Sequence, residues 1–339
     1  MNLNFEIVKD LEKRILVIDG AMGTNIQKFM LKEEDYRGEL LKNFKFNQRG
    51  NNDLLSITNP KIIDSIHRKF LDVGADIIET NTLNSNKISQ KDFGLQHLVY
   101  DLNYKSAKLA KKACDDYLKK DGKKRYVAGA VGPTNKIVSL SLDIENSKCG
   151  NISFNELKDA YKEQIAALMD GGVDLILIET IFSSLNAKAA IMASNEVFRF
   201  KNRNLPIMIS GTISNESGKL FSGENFSDFA KSIKDENVIS VGLNCSFGSK
   251  NLNPFIKELS EIQDFFVSVY PNAGLPDKLG LYEESPEITL KYIEEMLKEC
   301  YLNIVGGCCG TTYEHIRLIS NVSKKYKPRI IRKFSSSNI

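Results

Sequence analysis

The sequence lacks a strong excess of charge of either sign. Its 46 lysines and arginines stand against 43 aspartates and glutamates, which gives a formal net charge of +3 at neutral pH. Proteins that hold nucleic acid or an anionic membrane surface by charge usually have a clear basic excess. The balance therefore argues against a nucleic-acid or membrane partner and favours a small molecule.

Long apolar runs are also missing. No stretch approaches the roughly 20 consecutive apolar residues of a membrane-spanning helix. The N-terminal sequence MNLNFEIVKDLEKR interleaves polar and charged residues where a signal peptide needs an apolar core. We therefore expect a cytoplasmic location.

Histidine is scarce, and the cysteines follow no regular spacing. His67, His97 and His315 all fall within helix-like patterns, which favours structural roles. The six cysteines form neither a CxxC pair nor a disulfide framework, so we expect reduced thiols. They are Cys114, Cys149, Cys245, Cys300, Cys308 and Cys309. The last two are adjacent, in NIVGGCCGTT, and this unusual pair needs an explanation.

The sequence does contain an eightfold alternation of two patterns. Short runs rich in β-branched residues end in Gly, Asn or Thr, and stretches with helical spacing follow them. The short runs begin at Ile15, Ala75, Tyr126, Asp174, Pro206, Val238, Phe265 and Tyr301, and the helix-like segments include 60–73, 102–118, 154–169 and 286–298. Eight alternations predict a (β/α)8 TIM barrel.

Two regions depart from this alternation. Residues 25–59 form an extended loop after the first strand, and long loops in compact domains are usually functional or linkers. The C-terminal residues 326–339 are basic and then serine-rich, which is typical of a tail or linker. We therefore assign residues 1–325 to the barrel and 326–339 to the tail.

Polar side chains collect at the predicted strand ends, where barrel enzymes build their active sites. They are Asp19 and Gly20, Glu79 to Asn81, Glu179 and Thr180, Asn244 and Cys245, Asn272, and Cys308 and Cys309. Buried acids need a cation or hydrogen-bond donors, and the ammonium group of an amino-acid substrate is one such cation. Backbone amides around Gly20, Ala21 and Gly23 would suit its carboxylate. Each acid taken singly is equally well explained as a turn residue or as the partner of a lysine.

Cys245, Cys308 and Cys309 come from two strand ends that can converge above the barrel axis. Three thiolates suit zinc and leave its fourth position open for a reactant. Neighbouring side chains of a regular strand point to opposite faces, so the glycines of GGCCG are expected to let the backbone turn. From spacing alone, a redox pair and inert buried thiols remain alternatives.

In combination these motifs resemble one family, the homocysteine S-methyltransferases. Within it they are most similar to the N-terminal homocysteine-binding module of cobalamin-dependent methionine synthase. The matching stretches run in order over roughly residues 10–325: RILVIDGAMGTNIQ, RGNNDLL, GADIIETNTLNS, RYVAGAVGPTN, GGVDLILIETIFSSLNAKAA, LPIMISGTI, GLNCSFG, PNAGLP and LNIVGGCCGTT.

The resemblance implies a Zn²⁺ site and a binding site for the amino-acid part of homocysteine. The implied metal ligands are Cys245, Cys308 and Cys309, with Asn272 as a candidate fourth ligand before substrate arrives. The implied substrate-binding residues are Asp19, Gly20, Thr80 and Glu179. No further catalytic residue is implied beyond the zinc site.

The resemblance also implies an activity, the transfer of a methyl group to the sulfur of zinc-activated homocysteine to give methionine. The implied donor is methylcobalamin, bound elsewhere, on a cobalamin-binding module that acts with a folate-binding module in the same or a separate polypeptide. Relatives that use S-methylmethionine or betaine share the cysteines, so the choice of donor rests on RGNNDLL and ETNTLNS. A zinc- or thiol-binding barrel without turnover is a further alternative.

Overall fold

Eight parallel strands form one sheet in the computed structural model, which describes residues 5–138, 150–233, 235, 237–262 and 265–331. Cys149 lies outside these residues. The strands are β1 (Leu16–Val17), β2 (Ile77–Glu79), β3 (Tyr126–Val131), β4 (Leu175–Ile181), β5 (Ile207–Gly211), β6 (Val238–Gly248), β7 (Phe266–Asn272) and β8 (Ile304–Val305). A separate pair of short parallel strands joins Lys136–Val138 to Gly150–Ile152.

The sheet closes on itself. Neighbours in space are neighbours along the chain from β2 to β8, and β8 pairs with β1. The remaining edges meet where Ile18 bridges Ile77. Hydrogen bonds from Asp19 N to Ile77 O at 3.0 Å and from Asp76 N to Val17 O at 2.7 Å complete this seam. The predicted (β/α)8 barrel is confirmed.

Helices alternate with the strands around the barrel. Those of the described residues are α1 (Glu6–Leu11), α2 (Met22–Gln27), α3 (Glu33–Arg37), α4 (Leu55–Thr58), α5 (Pro60–Asp72), α6 (Val99–Asp121), α7 (Phe154–Gly171), α8 (Ser184–Lys201), α9 (Phe226–Ser232), α10 (Ser249–Glu261), α11 (Pro286–Lys298) and α12 (Tyr313–Ser323). Each strand is followed by one helix of the set α5 to α12, in chain order. None of the helices described has both the length and the apolar character required to cross a membrane.

Helix boundaries agree best with prediction where local caps mark them. α11 begins at Pro286, as predicted, because Ser285 caps it by accepting a hydrogen bond from Ile288 N. α6 extends three residues beyond its predicted span at each end. It stops at Gly122, whose φ of 71° is a left-handed conformation that glycine adopts without strain.

The amino end of the barrel is closed by α1. Its buried residues Ile7, Val8 and Leu11 join the apolar cluster that fills the barrel interior. The same cluster includes Leu177 and Met208 from the barrel strands. With this end filled by apolar side chains, polar chemistry is confined to the carboxyl ends of the strands.

The extended loop after β1 is fixed to the rim of the barrel by buried amides. Asn51 and Gln90 exchange hydrogen bonds of 3.0 and 3.2 Å, and Gln48 Nε2 donates to Phe93 O at 2.9 Å. α2 leads into this loop, and α3 and α4 lie within it. Because the amides are buried and paired, the segment 50–53 is held as a fixed wall at the carboxyl end of the barrel.

The first part of the predicted tail packs on the barrel. Arg329 is buried and donates to the carbonyls of Ser260, Ile262 and Phe265 at 2.7–2.8 Å. Ile331 is also buried. The packed part of the chain therefore extends past the predicted boundary at 325, and residues 332–339 lie outside the described ones.

His67 on α5 gives the fold an acid sensitivity. The ring is fully buried, and neither ring nitrogen has a hydrogen-bond partner among the described residues. Burial lowers the pKa of His67 to about 4, from about 6.5 in the unfolded chain. The unfolded chain therefore binds the extra proton first, so stability is lost as pH falls from 6.5 towards 4.

We expect His67→Leu to remove most of this acid sensitivity. At about 1.4 kcal/mol per pKa unit, the free energy of unfolding of the native protein should fall by up to roughly 3 kcal/mol between pH 7 and pH 4. Urea unfolding at several pH values measures it. His97 is exposed, so His97→Leu is the matched control and should leave the pH dependence unchanged. Equal pH profiles for the protein and His67→Leu would contradict the prediction.

Candidate active site

A cavity of about 430 Å³ opens at the carboxyl ends of the strands. Of the eight residues implied as metal ligands or substrate-binding residues, six line it: Gly20, Thr80, Glu179, Cys245, Cys308 and Cys309. Asp19, which follows β1, and Asn272, at the end of β7, are buried without lining the cavity. The segment 50–53 of the extended loop forms part of the wall.

The three predicted thiols form a cluster. Their sulfur atoms all lie within 4.8 Å of one another, and Cys245 Sγ is 3.8 Å from Cys309 Sγ. In a tetrahedral site with Zn–S bonds of about 2.3 Å, two sulfur ligands lie about 3.8 Å apart. The donor set and its spacing fit zinc. Cys114, buried on α6, and the exposed Cys300 do not belong to the cluster.

The adjacent cysteines lie in a turn after β8, so the alternation of side chains along a strand does not apply to them. Thr311 N donates to Cys308 O at 3.0 Å across this turn. Gly310, at its third position, has a φ of 79°, which favours glycine. A β-carbon there would also lie 2.3 Å from Tyr282 Cβ. Glycine at 310 thus allows both the turn and the packing of Tyr282 beside Cys309.

Gly306 and Gly307 have a different role from the one expected. Neither adopts a positive φ, so they do not supply the turn. A β-carbon at Gly306 would lie 2.4 Å from Ile18 O, and one at Gly307 would lie 2.5 Å from Thr311 Oγ1. The contact at Gly306 holds the cysteine turn against the end of β1, and the contact at Gly307 lies within the turn itself. These two glycines were predicted to let the backbone turn, whereas the structure requires them because there is no room for a side chain.

Cys245 reaches the cluster through an unusual backbone conformation at the end of β6. Cys245 and Ser246 have φ values of 58° and 62°, in the left-handed region that residues other than glycine rarely adopt. The pairing of β6 with β7 is irregular from Cys245 to Gly248. Such strain is frequent at functional sites, and here it accompanies the third thiol of the cluster.

The hydrogen bonds within the thiol cluster favour the thiolate form of Cys309. Hydrogen bonds from Cys245 and Cys308 lower the pKa of the Cys309 thiol to about 3. The hydrogen bonds with Cys245 and Cys309 raise the pKa of Cys308 well above its usual range. A divalent cation shared by the three sulfurs would compensate this charge.

Asn272 lies between the two backbone segments that meet the cysteine turn. Pro271 O accepts from Cys308 N at 2.7 Å, and Ala273 N donates to Cys309 O at 2.9 Å. Along β7, Asn272 shares a face with Tyr270, which lines the cavity. Its buried Oδ1 has no hydrogen-bond partner among the described residues. A free amide oxygen at this position fits the candidate fourth ligand.

Three acids lie at the ends of β1, β2 and β4: Asp19 and Glu179 are buried, and Glu79 is half-buried. Asp19 Oδ2 accepts from Glu79 N at 3.2 Å, while Asp19 Oδ1 is buried without a partner. Burial, and then the charge of Glu79, raise the pKa of Asp19 well above its usual range. Burial raises the pKa of Glu79 to about 7. Burial and the neighbouring Glu79, with which it shares a hydrogen bond, raise the pKa of Glu179.

These acids have no cationic neighbour in the cavity. Its lining, among the residues that the structure describes, includes no lysine, arginine or histidine. The alternative pairing of Glu79 or Glu179 with a lysine of a neighbouring loop is therefore not observed among those residues. Because buried carboxylates are costly without a counter-charge, the cavity is suited to a cationic ligand group.

Existing hydrogen bonds limit the contacts that the Thr80 hydroxyl and the Ala21 amide can make with a ligand. Thr80 Oγ1 accepts from Ala130 N at 3.0 Å and lies 2.6 Å from Thr82 Oγ1. Thr82 donates its hydrogen to Ala130 O, so Thr80 must donate to Thr82 and can only accept from a ligand. The Ala21 amide donates to Thr311 Oγ1 at 3.2 Å, so it is not free to hold a carboxylate as expected.

Two acidic side chains of the cavity received no role from the sequence. Glu79 lies at a predicted strand end. Its motif IIET in β2 is repeated as LIET around Glu179 in β4, and this repeat is the sequence signal that could have identified it. Asp53, in RGNNDLL, lines the cavity and accepts from Asn84 N and Ser85 Oγ. Burial raises the pKa of Asp53 to about 6.

Similar folds occur in solved structures of a homocysteine methyltransferase. The metallated form of MmuM from Escherichia coli aligns with a TM-score of 0.70 at 22% identity, over 93% of this chain and 98% of that one. The oxidized form aligns with a TM-score of 0.71 at 22% identity, over 94% and 98%. At this level of identity, the alignments support the barrel fold.

The sequence itself matches a family description over most of its length. The match to the homocysteine S-methyltransferases covers residues 16–323, from β1 to the end of α12. It includes all the strands of the barrel and the whole cavity. The chain therefore belongs to the homocysteine S-methyltransferase family and is a methyltransferase that acts on homocysteine.

Proposed function

We propose that Cys245, Cys308 and Cys309 hold a zinc ion at which the thiol of homocysteine is methylated to give methionine. The three-thiol cluster faces the same cavity as Glu79 and Glu179, and no basic side chain among the described residues that line the cavity offsets the charge of these acids. This arrangement supports the proposal. A free thiol has a pKa of about 8.5 and is mostly protonated at neutral pH. Zinc, when bound, would supply the ionisation of that thiol.

The chain's own sulfurs set the character of this site. Three thiolates outweigh the charge of a divalent ion, so a fourth sulfur placed beside them keeps its electron density and remains nucleophilic. Asn272 Oδ1 would occupy the open position before the substrate thiol arrives. Because a neutral amide oxygen is a weaker donor to zinc than a thiolate, the exchange favours the substrate.

The acids would hold the other end of the substrate. Glu179 and Asp19 would accept hydrogen bonds from the homocysteine ammonium, and Thr80 has one remaining lone pair to offer it. The main chain at Gly20, on the cavity wall, would face the substrate carboxylate. A charged ammonium among buried acids lowers their pKa values and keeps them ionised.

We propose methylcobalamin, carried by another module or protein, as the methyl donor. A corrinoid ring is far larger than a 430 Å³ cavity, so it would present its methyl group from the rim. The wall formed by segment 50–53, within RGNNDLL, supports this choice because that motif belongs to the wider sequence match. S-methylmethionine and betaine are the competing donors.

We expect Glu179→Gln to weaken homocysteine binding while leaving zinc content at one equivalent per chain. The variant removes a charge-assisted contact with the ammonium, which is worth about 1.5–3 kcal/mol, or about 10- to 150-fold in Kd. Metal analysis and calorimetric titration of the zinc-loaded protein with homocysteine measure the two quantities.

Glu258 on the exposed face of α10 provides the matched control, and Glu258→Gln should change neither quantity. An unchanged homocysteine Kd in Glu179→Gln would assign the ammonium to another acid. Absence of zinc-dependent homocysteine binding in the native protein would overturn the proposed function.

A further inference from the structure

Asn244 is fully buried on β6 and lies between the acid Glu179 and the thiol of Cys308. Its Oδ1 accepts from Thr180 N at 3.0 Å and from Ser210 Oγ at 2.5 Å. Its Nδ2 donates to Thr180 Oγ1 at 2.8 Å and Glu179 Oε2 at 3.4 Å, and lies 3.9 Å from Cys308 Sγ. The backbone N–H of Thr180 can only donate, so this bond fixes the orientation of the amide.

Thr180 is the residue with which the Asn244 amide makes two hydrogen bonds. Its φ is 55°, a left-handed conformation that is a genuine outlier for a β-branched residue. Asn244 binds both the backbone N–H and the side-chain hydroxyl of Thr180. Thr180 follows Glu179 directly, so the backbone held in this conformation also sets the direction of the Glu179 carboxyl.

We propose that Asn244 is a positioning residue that aligns the substrate acid Glu179 with the metal ligand Cys308 by holding Thr180 in its left-handed conformation. The inference rests on the proposed function, because it assigns Glu179 to the substrate and Cys308 to zinc. It adds that one amide sets the relative placement of the two ends of the homocysteine site.

Asn244→Ala tests this role because it removes all of these contacts. Loss of a partner that orients a ligand or its neighbours typically costs about 10- to 100-fold in affinity or activity. We expect zinc to remain at one equivalent and the homocysteine Kd to rise by at least about tenfold. The readouts are metal analysis, calorimetry with homocysteine, and the thiolate-to-metal absorption of the cobalt-substituted protein, which should change in the variant.

Thr180→Gly provides a rescue that a merely structural role would not produce. Glycine adopts a positive φ without strain, so it should keep the backbone near its native path when the amide is absent. We expect the double variant Asn244→Ala/Thr180→Gly to recover at least threefold of the lost homocysteine affinity, roughly 0.7 kcal/mol. Failure of this rescue would overturn the proposed role of Thr180.

Asn303→Ala is the matched control. Asn303 is equally buried but lies at the amino end of β8, where it bonds Val267 N and Arg329 O. It should lower the unfolding temperature and leave homocysteine affinity unchanged. If Asn244→Ala does not fold, Asn244→Leu, which removes the same polar contacts but keeps a side chain of similar shape, replaces it with the same expected loss of affinity.

The outcomes separate this inference from the function on which it rests. Homocysteine binding to the zinc-loaded native protein tests the function alone. If that binding is present and the variants at 244 match the native homocysteine Kd within twofold, the positioning role is wrong while the function stands. The role would also be overturned if Asn303→Ala weakened homocysteine binding as much as Asn244→Ala.

Discussion

Replacing Cys309 with alanine is expected to abolish zinc binding and methionine formation while the barrel remains folded. Cys309 lies in a partly exposed turn and contributes nothing to the apolar clusters of the core. The substitution removes one of three sulfur ligands, and the two that remain offer zinc too few protein donors for a stable site. Metal analysis, a methionine assay and circular dichroism measure the three properties.

The other cysteines distinguish a specific site from general thiol effects. Cys300→Ala, at an exposed position, should leave zinc content at one equivalent. Cys114→Ala, within the buried face of α6, should lower stability without changing zinc content. Full zinc occupancy in the double variant Cys308→Ala/Cys309→Ala would refute the assignment of the metal site.

The barrel was predictable because its signals are local. Each strand is a short β-branched run, and each helix has its own apolar spacing, so neither depends on distant residues. The limits of α11 could be predicted to the residue because Ser285 and Pro286 mark its start. The packed segment around Arg329 was not predictable, since its basic composition gives no sign of the three carbonyls that Arg329 meets on the barrel.

The site was predictable in its residues but not in their arrangement. Strand-end position identified Glu179 and the cysteines, since parallel strands bring their carboxyl ends together. The left-handed backbone of Thr180 and the bonds of Asn244 depend on residues more than 60 positions apart. The contact of Gly306 with Ile18 is of the same kind. Such contacts follow from closure of the barrel, which no local pattern describes.

Free methylcobalamin at high concentration is expected to support slow, zinc-dependent methionine formation by this chain, whereas methyltetrahydrofolate alone should give none. In the proposed function, activation of the homocysteine sulfur depends on groups of the barrel alone, the thiol cluster and the acids beside it. Delivery of the methyl group depends on a module outside the barrel. Reactants held together reach effective molarities of about 10⁵ M or more, so the rate with free donor should be lower by the ratio of that effective molarity to the donor concentration.

The rate of transfer from free methylcobalamin is measured under anaerobic conditions, by following methionine formation and the loss of the methylcobalamin spectrum. Chelator-treated protein and Cys309→Ala are the controls, and both should be inactive because they lack the metal on which ionisation of the substrate thiol depends. A higher rate with S-methylmethionine or betaine than with methylcobalamin, at equal concentration, would replace the proposed donor. Zinc-dependent homocysteine binding without methionine from any of these donors would mean that the barrel binds its substrate but needs its partner module for the transfer itself.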